Sequence, residues 1–169
     1  MKTFFALALL SASAAFAAWT QEGDGTFTFD AKGPAGFKIH GESKKLAVTD
    51  DGTNLKVQLK IEDVDTDNSL RNRHMAEDMK AKENPLVTLS VPSASLKESG
   101  GEATGTMELN GQKKETKFSY TTKCSGSSCE VEGTAPINLT DFGIKIRSYM
   151  GVTVKPDITV NTKFKVVKK

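Results

Sequence analysis

The feature that most constrains this chain is the run at 55–62, where Leu55, Val57, Leu59 and Ile61 alternate strictly with Lys56, Gln58, Lys60 and Glu62. A period of two sends successive side chains to opposite faces, so the run is a strand with one dry face and one wet face. Shorter alternating patterns occur at 26–30, 37–40, 86–91, 106–109, 118–122 and 158–167. Turn signals separate them: Gly33-Pro34, Asp51-Gly52, Ser99-Gly100-Gly101, Asn110-Gly111 and Ser125-Gly126. Asn-Gly between two alternating runs is a strong hairpin signal. Many short strands with one apolar face bury those faces by stacking into a sandwich or by closing into a barrel. The fold class is therefore all-β and antiparallel, and alternation alone does not choose between the two architectures.

One segment breaks the pattern. Residues 69–84 contain no Gly and few β-branched side chains, and Leu70, His74, Met75 and Met79 recur near helical spacing. Asn68 or Ser69 caps the start, and Pro85 ends it. The layout is strands, one short helical excursion, then more strands.

The first 17 residues belong to a different problem. Lys2 precedes an apolar stretch at 4–10, and small residues lead to Ala15-Phe16-Ala17. A charged start, a short apolar stretch and an A-x-A site describe a secretory signal peptide over 1–17, leaving a single domain at 18–169. A membrane anchor needs about 20 apolar residues, and Ser11 and Ser13 interrupt this run. The expectation is a periplasmic or secreted protein with no transmembrane anchor after cleavage. A formal net charge of +2 on 169 residues excludes a dedicated nucleic-acid binder, which concentrates basic charge on one face.

Cys124 and Cys129 flank a short loop, and alternation continues on both sides. In an exported protein they are expected to form a disulfide across a hairpin. Their spacing is not C-x-x-C, which argues against a redox pair.

The residues offer little for catalysis. His40 and His74 are the only histidines, and a metal site needs three or four ligands. Asp63, Asp65 and Asp67 alternate as in a calcium loop, but the Gly and terminal Glu of that loop are missing. They read as a solvated turn with capping residues. There is no G-x-S-x-G elbow, P-loop or G-x-G-x-x-G. Nothing calls for a cofactor or a metal. Arg71, Arg73 and His74 form a polar cluster inside the helical excursion. Arg71 and His74 either brace the excursion against the strands or meet an acidic headgroup, and the brace is the plainer reading.

The order of these features resembles the YceI-like family of exported, lipocalin-type barrels. Phe37-Lys38-Ile39-His40 resembles its F-x-I/V-x-H strand, and Asp65-Thr66 with Arg71-Asn72-Arg73-His74-Met75 resembles its D-T and R-D-x-H-L signature. Asn84-Pro85 fits its P-x-x-x-F segment, with Leu89 for Phe. The stretch 104–111 is similar to T-G-x-L-T-x-x-G, and 137–144 to I-x-R-S-D-F-G-I. The departures are Asn72 for an acid, Met75 for Leu, and Leu139 where many members carry Arg. The cysteine clip is an addition.

The resemblance implies an antiparallel barrel of about eight strands holding a long apolar ligand: a polyisoprenoid, a quinone-type molecule or a fatty amide. An eight-stranded barrel is just wide enough to be filled by side chains or to hold one small ligand. After residue 17 the chain carries six Phe, one Trp and two Tyr, little bulk for filling it. By alternation Phe37, Ile39, Val57, Leu59, Ile61, Leu89, Met107, Leu109, Phe118 and Tyr120 are expected to face inward and line the cavity. His40, Arg71 and His74 are the expected polar brace or headgroup contacts. The reading is a non-enzymatic lipid carrier or sink, with a homodimer compatible with it. The alternatives are a filled barrel that presents loops to an envelope partner, and an enzyme using His40 or His74.

Overall fold

The computed structural model describes residues 19–33, 36–149 and 152–168. The leader read over 1–17, its cleavage bond and Pro34 lie outside the described residues. Along the chain come β1 (Trp19–Lys32), β2 (Lys38–Asp50), β3 (Asn54–Lys60), helix α1 (Ser69–Asp78), β4 (Leu86–Pro92), β5 (Gly101–Leu109), β6 (Gln112–Ser125) and β7 (Ser128–Asn138). A two-residue pair, β8 (Ser148–Tyr149) and β9 (Val152–Thr153), precedes β10 (Asp157–Lys168).

Eight of these strands form a closed barrel in the order β1-β10-β7-β6-β5-β4-β3-β2. Every pairing is antiparallel, and β1 pairs with both β2 and β10. That double pairing joins the first strand to the last and decides barrel over sandwich. The Asn110-Gly111 hairpin forms as expected, with Leu109 opposite Gln112 and Asn110 in the left-handed region (φ 53°).

β1 and β2 are longer than the alternation indicates because each carries register breaks, between Thr20 and Gly25 and between Gly25 and Phe27. An extra residue in a strand flips which parity faces inward. Accordingly Gly41 and Ser43 are buried before the break in β2, and Leu46 and Val48 after it. Where ladder bonds are missing, the Gln21 side chain replaces them: its amide donates to the Leu46 carbonyl (2.9 Å) and its oxygen accepts from Val48 N–H (2.7 Å). Gly41 is needed for packing, since a Cβ there falls 2.2 Å from the Phe29 ring.

α1 starts where expected. Asn68 Oδ1 accepts from Arg71 N–H at 3.0 Å, a standard N-cap. It ends earlier than Pro85: Met79 closes it, and Lys80 takes a left-handed φ of 50°. The disulfide forms between Cys124 and Cys129, which are register partners at the β6–β7 turn.

Among the described residues, most of the buried apolar side chains fall into two clusters rather than one. The first gathers Leu46, Val48, Leu55, Leu59, Val64, Cys129, Phe164 and Val166. The second gathers Met107, Leu109, Ala135, Ile137, Phe142 and Ile144. A space inside the barrel separates them.

Candidate functional site: a cavity through the barrel

The space is a cavity of about 180 Å³ with walls from all eight barrel strands. A buried water needs roughly 10–15 Å³, so this is far more than a packing fault. Members of both core clusters line it. On β3 the lining runs from Leu55 to just past the strand end at Ile61, roughly 20 Å at the rise of a strand. Val57, Leu89 and Phe118 point inward yet stay half-buried, because part of each side chain faces the cavity.

At one end the lining holds Met75 on α1, Met79 at its C-cap, Leu139 and Ile158. Leu139 stands where the resemblance places Arg, so this end is apolar. At the other end the lining reaches Trp19, Leu96, Lys97 and Glu98. Lys97 and Glu98 are exposed, and they are the only charged residues among the described residues that line the cavity. The mouth is therefore at this end, beneath the β4–β5 loop.

The mouth is strapped by polar contacts. Glu98 pairs with Lys168 at 2.9 Å, and the Lys168 ammonium lies 5.8 Å from the centre of the Trp19 ring. Tyr120, buried in the wall, accepts from Lys97 N–H at 2.6 Å and donates to the Lys97 carbonyl at 3.4 Å. Asp50 accepts from Trp19 N–H (3.0 Å), Ser93 hydroxyl (2.9 Å) and Gly52 N–H (2.9 Å), joining β1, the β2–β3 turn and the β4–β5 loop.

Eight of the ten residues expected to face inward line this cavity: Val57, Leu59, Ile61, Leu89, Met107, Leu109, Phe118 and Tyr120. Phe37 and Ile39 do not. Phe37 precedes β2 and is 60% exposed. Ile39, opposite Ala31, shares the interior face of the register but sits at the barrel end, near Gly33, beyond the cavity. Alternation gives the face of a strand and not the distance of a residue from the barrel's end.

The three expected polar contacts are also off the lining. His40 lies on the outer face, with Nδ1 2.9 Å from the Asp30 carboxylate. Arg71 and His74 are half-buried on α1. The brace exists, but its side chain is Asn72. Its Oδ1 accepts from Thr66 N–H (2.9 Å) and Thr66 hydroxyl (2.6 Å), and its Nδ2 donates to Asp65 (2.9 Å). That amide, then Asp67 N–H, holds the Asp65 carboxyl below its ordinary value. Of the alternating aspartates, Asp65 caps the turn by accepting from Asp67 N–H at 3.0 Å, and Asp63 is paired to Lys45 at 2.8 Å. Sequence reasoning missed Lys97 and Glu98, which sit in an irregular loop whose position over the barrel no local pattern encodes.

A family model for the YceI-like domain matches residues 8–166. The chain belongs to the YceI-like family. Curated relatives include UPF0312 proteins of Pseudomonas aeruginosa and Pseudomonas paraeruginosa, 27% identical over 131 residues, which is 73% of this chain and 60% of theirs. The match thus spans about 60% of the length of those relatives. Among solved structures, Burkholderia cenocepacia BcnA superposes with a TM-score of 0.70 at 17% identity, covering 83% of this chain and 95% of that one. A polyisoprenoid binding domain from Saccharophagus degradans, implicated in plant cell wall breakdown, gives 0.70 at 14% identity, covering 90% and 99%. At these identities the YceI-like neighbours establish the barrel fold.

Proposed function

We propose that this protein binds a long apolar chain inside the barrel, as a carrier or sink for an isoprenoid or other lipid in the bacterial envelope. The observation that carries this reading is the apolar cavity between the two core clusters. Its volume is below the roughly 300–1,000 Å³ of pockets for compact drug-sized ligands. It is drawn out along the strands, which suits one chain rather than a fused-ring body. Each buried CH₂ of such a chain contributes about 0.8 kcal/mol. The polyisoprenoid-binding neighbour supports the same ligand class. Both histidines lie off the cavity lining, which favours binding over catalysis. The disulfide and the leader-like N-terminus support an oxidising, exported location.

The test is organic extraction of protein purified from the envelope of cells that export it, followed by mass spectrometry. The expected result is one class of long-chain lipid at about one per chain, matching a barrel that holds one small ligand. Empty protein whose melting temperature does not rise with added lipid would reject the proposal, because a ligand that binds the native state must stabilise it.

A further inference from the structure

The geometry points to an anionic-headgroup subsite at the barrel mouth, built on Lys97, so that the cavity selects single-chain amphiphiles ending in a phosphate or carboxylate over neutral ones. This inference rests on the proposed lipid binding and adds the chemistry of the head.

Three observations carry it. First, charge enters the cavity lining of the described residues only at Lys97 and Glu98, so the polar end of an amphiphile has one place to go. A chain inserted in the opposite sense would place its head against Met75, Met79 and Leu139, which offer no charged group to receive it. Second, the two rim charges are not equivalent. Glu98 is already paired with Lys168 at 2.9 Å, whereas among the described residues no ion pair engages the Lys97 ammonium. Of the two charges in the cavity lining, the one left without a counter-ion is therefore positive. Third, Lys97 is rooted in place. Both its backbone N–H and its carbonyl are held by the Tyr120 hydroxyl, and Tyr120 itself is buried in the cavity wall. The residue that offers the charge is therefore tied directly to the surface that would hold the chain.

The experiment compares binding of farnesyl phosphate, farnesol and laurate to the full chain, the Lys97→Met variant and a Lys117→Met control. Lys117 is an exposed β6 residue off the cavity lining, so its replacement removes the same charge elsewhere. The wild type is expected to prefer farnesyl phosphate over farnesol by about fivefold at low salt, the scale of an exposed ion pair. The preference should shrink as ionic strength rises. Lys97→Met should lose the preference and Lys117→Met should keep it. Laurate separates the head chemistries. Binding comparable to farnesyl phosphate indicates a general anion subsite, and binding no better than farnesol narrows the subsite to phosphate. Equal affinity for phosphate and alcohol in the wild type, or a preference that survives Lys97→Met, overturns the subsite while leaving the cavity intact. Failure of all three probes to bind overturns the lipid reading itself.

Discussion

The Tyr120 hydroxyl accepts a hydrogen bond from Lys97 N–H at 2.6 Å and donates one back to the Lys97 carbonyl at 3.4 Å. One wall residue of the barrel thereby holds the β4–β5 loop over the cavity mouth. Tyr120→Phe keeps the ring, which packs 5.9 Å from Phe118 between centroids, and removes only the tether. The expected cost is about 1 kcal/mol, that of one net hydrogen bond. Amide hydrogen exchange at Lys97 should rise, and so should the release rate of a bound fluorescent lipid. Unchanged release alongside faster exchange would mean that the loop does not gate the cavity.

Much of the wall was legible because β3 to β6 keep clean alternation through their inward positions. The residues that misled lie where that regularity stops. Phe37 precedes its strand, Ile39 faces inward but beyond the cavity, and β2 reverses parity at its bulge, which hid Leu46 as a wall residue. Lys97 and Trp19 could not be placed from local pattern, since their roles depend on the closure of β1 against β10 and on a loop crossing the rim. In the polar cluster of α1 the hydrogen bonds to Thr66 and Asp65 run through Asn72. Arg71 and His74 stand out by charge, whereas the brace needs one group that both accepts and donates, and Asn72 provides it.

Asn72→Ala removes that brace. Thr66 is buried, and its N–H loses its acceptor, so the expected destabilisation is about 1–3 kcal/mol. The substitution also changes the acid limb of stability. In the folded wild type the Asp65 carboxyl is held below its ordinary 3.8, first by the Asn72 amide. A carboxyl depressed by folding contributes stability that is present above the unfolded value and lost as pH falls through the folded one. In Asn72→Ala the Asp65 value should move up toward 3.8, and the stability gap from wild type should narrow on acidification below that pH. Carboxyl-resolved NMR titration and urea unfolding at neutral and acid pH check both parts.

Cys124 and Cys129 close a short hairpin at the mouth end, and Cys129 is buried in the cavity wall. Replacing both with Ala should cost about 2 kcal/mol by the chain-entropy account of so small a loop. Adding dithiothreitol should lower the wild-type unfolding midpoint toward that of the double variant and leave the variant itself unaffected. A wild-type midpoint insensitive to complete reduction would mean that the hairpin is held by its ladder alone.

Gly41 and Phe29 face each other across β1 and β2, and a Cβ at position 41 would fall 2.2 Å from the ring. Glycine normally weakens a strand, but here its missing side chain is the space that the ring occupies. Gly41→Ala should therefore destabilise by about 1–3 kcal/mol, the range for overpacking. Combining it with Phe29→Leu should recover part of the loss, and a double-mutant cycle in urea measures the coupling.

Enlarging a wall residue should have the opposite sign. Val57 faces the cavity and is only half-buried, so a larger side chain there has free space of about 180 Å³ to enter. Val57→Phe fills part of that space with apolar atoms at about 0.8 kcal/mol per buried CH₂ equivalent. The melting temperature of the ligand-free protein should rise, in contrast to the fall expected when a bulky residue is forced into a filled core. Affinity for farnesyl phosphate should drop in the same variant, because the added ring and the chain compete for one volume. Lower stability with unchanged affinity would place Val57 against packed side chains, and the cavity would then not be the site that the chain enters.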